Sequence, residues 1–155
     1  RGVHAVSTSP PALDVTIESQ ILDMLLDLKT KYGTSVMMIT HNFGIVAEIA
    51  DRVGVMYAGR LIETGSVFDI FDSPMHPYTR ALMNSLPRQS KHEGRINAIE
   101  GTVPRIVGEF TGCRFENRCP LAGELCRTKE PPLRMVSPGH CYCCHNDTAH
   151  MEASV

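Results

Sequence analysis

Ser35-Val36-Met37-Met38-Ile39-Thr40, followed at once by His41-Asn42, is the run on which the fold turns. It is short and almost wholly apolar, which suits a parallel strand buried on both faces. Upstream, Val15 to Tyr32 carries Ile17, Ile21, Leu22, Leu25 and Leu28 at helical spacing. Asp14 or Thr16 can cap the start of that helix, and Gly33 can stop it. Downstream, Phe43 to Ala50 reads as helix and Arg52 to Tyr57 as strand. Ala58-Gly59 then reads as a turn and Arg60 to Glu63 as the hairpin partner. Ser66 caps a short helix through Phe71, and Pro77 suits the first turn of a helix running to Leu86. Residues 1–11 read as irregular. The order helix, buried strand, helix, hairpin, helix, helix matches the second half of an α/β sheet, with too few strands to complete one.

Further out, the chain changes character. Residues 87–112 contain Gly and Pro with weak periodicity and read as a linker. Residues 113–145 hold all six cysteines and read as a compact Cys-rich module, and residues 146–155 read as a disordered tail. Uneven cysteine usage in an intracellular chain favours a metal or cluster site over a disulfide scaffold. With 15 basic and 17 acidic residues the net charge is -2, so there is no electrostatic footprint for nucleic acid or for an anionic membrane surface. No apolar run reaches the roughly 18 residues of a membrane span, and the first residues lack a signal-peptide core. The expectation is a soluble, cytoplasmic chain of about one domain.

Three motifs bear on chemistry. His41 directly follows the apolar strand, where α/β sheets bind ligands and where an imidazole can donate to a phosphate. Taken alone, it reads more simply as a surface histidine in a loop. Asp14 alone reads as a helix N-cap. Gly54 to Leu61 nearly fits the phosphate-loop pattern GxxxxGK[ST], but Arg60 and Leu61 stand where Lys and Ser/Thr are needed. The flanks are those of a hairpin, so the match is rejected, and no other stretch fits the pattern.

Read together, Ala12-Leu13-Asp14-Val15-Thr16-Ile17, Ile39-Thr40-His41-Asn42 and Val46-Ala47-Glu48-Ile49-Ala50-Asp51-Arg52-Val53 resemble ABC-transporter ATPases. Met56-Tyr57-Ala58-Gly59-Arg60-Leu61-Ile62-Glu63-Thr64-Gly65 continues the likeness. His76-Pro77-Tyr78-Thr79-Arg80-Ala81-Leu82, Gly112-Cys113-Arg114-Phe115 and Arg118-Cys119-Pro120 narrow it to the oligopeptide, dipeptide and nickel branch. The resemblance covers residues 12 to about 145. It implies that residues 1–86 are the C-terminal part of an ABC nucleotide-binding domain of the P-loop NTPase type. It also implies that His41 is the switch-loop residue at the ATP γ-phosphate and Asp14 the D-loop residue that communicates across an ATPase dimer. The implied cofactors are ATP and Mg2+. The implied partners are a second ABC ATPase subunit, transmembrane permease subunits and, indirectly, an extracytoplasmic substrate-binding protein. The implied place is peripheral, on the inner face of the cell membrane.

Departures from the family pattern set a limit. The phosphate loop, Q-loop and signature motif belong upstream of residue 1. Ser7 and Thr8 occupy the positions of the Asp-Glu pair that serves magnesium and the attacking water, and Asn42 replaces the usual Asp. The expectation is therefore a truncated or frame-shifted reading of a longer subunit, inactive by itself. Cys113, Cys119, Cys126 and Cys144 are separated by five, six and seventeen residues. Thiolates bind soft metals and iron–sulfur clusters. By resemblance to the tail of the peptide-transporter ATPases these four imply a [4Fe-4S] cluster, with Zn2+ as the alternative. Cys141 and Cys143 have no counterpart in the family, and His140 and His145 can compete as ligands. The rival reading is a non-catalytic metal-binding module with a regulatory role.

Overall fold

The computed structural model describes residues 3–7, 15–86, 99–106, 108 and 110–146. The chain divides into two compact units, Arg1–Ala50 and Asp51–Val155.

In the first unit β1 (Val3–Ser7) pairs in parallel with β2 (Ser35–Ile39), in register Val3 to Ser35 through Ser7 to Ile39. The crossover between them carries α1 (Val15–Tyr32), as a parallel pair requires. Residues 1–11 were expected to be irregular, and β1 corrects that expectation. Its five residues are too short for a pattern of their own, and the partner strand defines them. α1 ends where expected: Gly33 takes φ 60 and its N–H bonds to the Lys29 carbonyl. β2 departs from expectation, because Met37 and Ile39 are 53% and 60% exposed. Among the described residues β2 has one neighbouring strand, so its outward positions lack the cover that a complete sheet supplies. α2 (Phe43–Ile49) follows, capped by Asn42, whose Oδ1 accepts from the N–H groups of Gly44 and Ile45 at 3.0 and 3.4 Å.

The second unit is built on an antiparallel sheet of order β3-β4-β6-β5. β3 (Arg52–Tyr57) and β4 (Arg60–Ser66) are the expected hairpin. Ala58 and Gly59 both take positive φ, 46 and 79, the signature of a two-residue primed turn. That hairpin also settles the rejected phosphate-loop match, since no helix follows the turn. α3 (Val67–Asp72) starts with a capping box between Ser66 and Asp69. α4 (Pro77–Asn84) places Pro77 in its first turn, with His76 Nδ1 accepting from the Tyr78 N–H at 3.0 Å. After residues 99–112 come one 3₁₀ turn (Glu116–Arg118), α5 (Glu124–Thr128), β5 (Leu133–Ser137) and β6 (His140–Cys143). Pro138-Gly139 turns β5 into β6, with Gly139 at φ 89.

β6 pairs with β4 through Glu63–Tyr142 and Thr64–Cys141. The cysteine-bearing segment thus extends the sheet that the β3–β4 hairpin begins. Val55, Tyr57, Ile62, Ile70 and Phe115 form the core, with Tyr78, Leu82, Ile99, Cys113 and Cys119 packed against it. Tyr57, Tyr78 and Phe115 contact one another with ring centroids 4.7 to 5.3 Å apart, a spacing that favours tilted and edge-to-face aromatic contacts. Arg118 ties residues 99–101 to this core. It donates to the Ile99 and Glu100 carbonyls at 2.6 and 2.7 Å and to the Tyr57 hydroxyl at 3.3 Å.

Candidate functional site: a four-thiol cluster beside the aromatic core

Four of the six cysteines approach one another. Burial pushes the Cys113 thiol above its usual range, and the neighbouring Cys126 and Cys144 add to the rise. Burial pushes Cys119 up to about 11, with Cys144, Cys113 and Cys126 all contributing. Cys144 is raised for the same reasons, burial first and Cys126 next among the thiols. Buried neutral thiols cluster at little cost, and ionising them together without a cation is costly.

The backbone opposes that cost locally. The N–H groups of Phe115 and Glu116 donate to the Cys113 sulfur, Leu121 donates to Cys119, and His145 and Asn146 donate to Cys144. These donors arise from the short turns that each cysteine opens: Glu116 N–H bonds to the Cys113 carbonyl and Ala122 N–H to the Cys119 carbonyl. Cys113 is also joined to α5 through a 2.7 Å bond from its N–H to the Cys126 carbonyl. Gly112 makes that approach possible. A Cβ there would stand 2.8 Å from the Cys126 carbonyl oxygen and 2.9 Å from that of Arg127.

The other two cysteines lie apart in chemistry. Cys143 is raised by burial, while the Arg60 guanidinium lowers it by charge and by a hydrogen bond; its thiol neighbour is Cys141. His140 and His145 are engaged elsewhere. His140 Nε2 lies 2.9 Å from Glu63 Oε1, and His145 Nε2 lies 2.8 Å from the Lys129 carbonyl. Asn146 opens the segment expected to be a disordered tail, yet its side chain donates to the Leu121 carbonyl at 2.8 Å. The remainder of that segment, 147–155, lies outside the described residues. Among the described residues no group of three or more His, Cys, Asp or Glu is arranged to hold a metal ion as it stands.

Sequence reasoning missed the Glu63–His140 contact. Glu63 is fully buried, and its carboxylate accepts from three donors: the Met75 N–H at 2.7 Å, the His76 N–H at 2.9 Å and the His140 ring. His140 Nδ1 also lies 3.8 Å from Asp69. A charge that deep must be paired and hydrogen-bonded. Glu63 thereby fixes the entry to α4 and holds β6 on β4. The local signal was weak: Glu63 follows Leu61 and Ile62 in β4, and only its partner explains it.

His41 lies just past β2, exposed, between the end of that strand and the Asn42 cap of α2. Asp14 lies outside the described residues. Ser7 ends β1 beside Ile39 of β2, and Thr8 lies outside the described residues. None of the described helices is long and apolar enough to cross a membrane.

Residues 62–126 match the family profile of the oligopeptide/dipeptide transporter C-terminal region. A probable peptide ABC transporter ATP-binding protein of Sinorhizobium fredii is 52% identical over 134 residues, covering 86% of this chain and 40% of the relative. A dipeptide transport ATP-binding protein of Haemophilus influenzae is 46% identical over 125 residues, 81% of this chain and 38% of the relative. Its Escherichia coli counterpart is 42% identical over 134 residues, 86% and 41%. The chain thus spans about two fifths of the length of these relatives. The motif order, the profile match and these identities together place the chain in the family of ATP-binding proteins of oligopeptide and dipeptide ABC transporters, in the sequence of their C-terminal region.

Proposed function

We propose that this sequence serves as the C-terminal part of an ATP-binding subunit that couples ATP hydrolysis to oligopeptide or dipeptide import. The identity to peptide and dipeptide transport ATP-binding proteins over four fifths or more of the chain carries that reading. The position of His41, past the carboxyl end of β2, supports it, because phosphates bind at that edge of α/β sheets. In a complete subunit His41 donates to the γ-phosphate, and Asp14 communicates with a second ATPase subunit. Catalysis of this type is positioning plus charge stabilisation around the phosphates and Mg2+. Transmembrane permease subunits and an extracytoplasmic binding protein complete the assembly. The subunit then sits at the inner face of the membrane.

The 155 residues themselves contain no phosphate-loop pattern, and Ser7 and Thr8 supply no carboxylate. The chain alone is accordingly expected to release no phosphate from MgATP above background. Turnover that His41→Ala abolishes would overturn that expectation. In a subunit carrying the phosphate loop, His41→Ala should lower turnover on the order of a hundredfold, as loss of one charge-stabilising donor does elsewhere. Nucleotide binding should stay largely intact, since the contact strengthens at the transition state. An unchanged rate would return His41 to an ordinary loop position.

The thiol site has a role of its own. We infer that Cys113, Cys119, Cys126 and Cys144 hold one metal centre, an iron–sulfur cluster in preference to zinc. The donor set is four sulfurs, of which Cys113, Cys119 and Cys144 are raised by burial and by neighbouring thiols, with backbone hydrogen bonds to each of those three. Zinc, at about 2.3 Å from each sulfur, requires a tighter tetrahedron than a four-iron cluster does. Such a centre, when bound, cross-links three loops and adds its binding energy to folding. Anaerobic purification with iron, sulfide and zinc analysis tests this. Cys119→Ser should empty the site, and Ser at Cys141 and Cys143 should leave it filled. Zinc at one per chain without sulfide would keep the site and remove the cluster. The rival reading, a metal-binding regulatory module without catalysis, draws on one observation: residues 51–155 build their core and thiol site by themselves. Metal loading without any effect on a complete subunit's turnover would favour it.

A further inference from the structure

We propose that Arg134, His145 and Asn146 form a clamp that seats Cys144 among the other three thiols, acting as positioning residues for the centre inferred above, on which this proposal rests. The need is topological. Cys113, Cys119 and Cys126 lie within a short stretch of turns, whereas Cys144 arrives after seventeen intervening residues at the end of β6. Nothing in the local chain brings its sulfur back to the others.

The His145 and Asn146 side chains do so, and Arg134 fixes the carbonyls of Cys144 and His145 beside them. Arg134, on β5 opposite Tyr142, donates from Nε to the Cys144 carbonyl and from Nη2 to the His145 carbonyl, both at 2.9 Å. Two parallel donors on a rigid guanidinium fix the direction of both carbonyls, which a lysine cannot do. His145 Nε2 donates to the Lys129 carbonyl at 2.8 Å, at the C-terminal cap of the helix that carries Cys126. Asn146 Nδ2 donates to the Leu121 carbonyl at 2.8 Å, and the N–H of Leu121 donates to the Cys119 sulfur. Each tie from His145 and Asn146 therefore ends in a segment that bears another thiol. The N–H groups of those same two residues donate to the Cys144 sulfur. Turning Cys144 outward would break all of these bonds together. The guanidinium also brings a positive charge toward the Cys144 thiol.

The test compares the anaerobically purified chain with its Arg134→Gln, Arg134→Lys, Asn146→Ala and Cys119→Ser variants. One readout is the rate at which a strong chelator extracts iron or zinc. The other is the rate of iodoacetamide alkylation at each cysteine of the metal-stripped chain, by mass spectrometry. Arg134→Gln and Asn146→Ala should speed metal extraction by about tenfold or more, the usual loss when outer partners of metal ligands are removed. Arg134→Lys keeps the charge and should still speed extraction, because the fork is gone. Without metal, Arg134→Gln should raise alkylation of Cys144 severalfold and leave Cys141 unchanged. Unchanged extraction together with unchanged Cys144 alkylation overturns the clamp. If wild type and Cys119→Ser both hold no metal, the metal centre fails, and Cys144 alkylation alone decides the clamp. If all six cysteines of Arg134→Gln react faster together, the variant has loosened generally. Asn146→Ala then decides: a rise confined to Cys144 supports the clamp, and no rise overturns it.

Discussion

Residues 51–155 and residues 1–50 hold their shape by different means. The larger unit buries a continuous apolar and aromatic set around Phe115, together with Glu63, His76, Thr79 and His140. Most polar groups inside a core have partners; Glu63 has three, while the buried Thr79 hydroxyl is left without one among the described residues. Of the side chains described in the smaller unit, Leu25 and Ile45 are the buried apolar ones, while Met24, Leu28, Tyr32, Met37 and Ile39 are 40% exposed or more. Parallel strands are ordinarily covered on both faces, and a stretch with few buried contacts opens at low free energy. The larger unit is thus a self-sufficient core, and the smaller one is a sheet layer with uncovered faces. The residue implied to act on phosphate lies in the layer, and the thiol site lies in the core.

The sharpest way to break this comparison is to remove Glu63. Glu63→Ala leaves His140 and the N–H groups of Met75 and His76 without their shared acceptor. Removing one partner of a buried pair costs about 3–5 kcal/mol. Hydrogen exchange should then lose protection across β3, β4 and β6 and stay unchanged across β1 and β2. Equal loss in both regions would mean that they open as one unit.

Acid should act on the same unit, by a somewhat smaller amount. Burial lowers His76 from 6.5 to about 4. Between those values the unfolded chain binds the proton and the folded chain does not. Stability is therefore full above pH 6.5 and falls as pH drops toward 4, by about 3 kcal/mol in total. Urea midpoints at pH 7.5 and 4.5, followed by tyrosine fluorescence, check this. Tyr57, Tyr78 and Tyr142 report on the larger unit. His76→Gln should flatten the slope, and a midpoint that stays constant with pH in the wild type would contradict it.

The smallest effect comes from two matched caps. Ser66 caps α3 in the core, and Asn42 caps α2 in the layer. Ser66→Ala should lower the unfolding free energy of the larger unit by about 1 kcal/mol, an ordinary cap loss. Asn42→Ala should leave that transition where it is. Equal shifts would join the two regions into one cooperative block.

Features closed within a few residues were legible beforehand. α1 with its Gly33 stop, the Ala58-Gly59 hairpin turn, the Ser66 cap and Pro77 in the first turn of α4 all stand as read. So was the order of motifs that the family match bears out. Other elements were illegible for a physical reason. β1 is strand because β2 lies beside it, and the β5–β6 pair shows in the sequence only as Pro138-Gly139 between two short β-prone runs. The cysteines could be chosen by type and by resemblance, while their spacing alone left zinc, a cluster and spare thiols all open.

By itself, then, the sequence determined the local elements, the caps and the family, because turn chemistry and helical periodicity act over three or four residues. The tertiary structure alone decided that Glu63 meets His140 across 77 residues. It also decided which thiols raise Cys119, and that the His145 and Asn146 side chains bond to the Lys129 and Leu121 carbonyls. A buried charge is tolerable only beside its partners. No stretch of this chain contains those partners until β6 folds back onto β4.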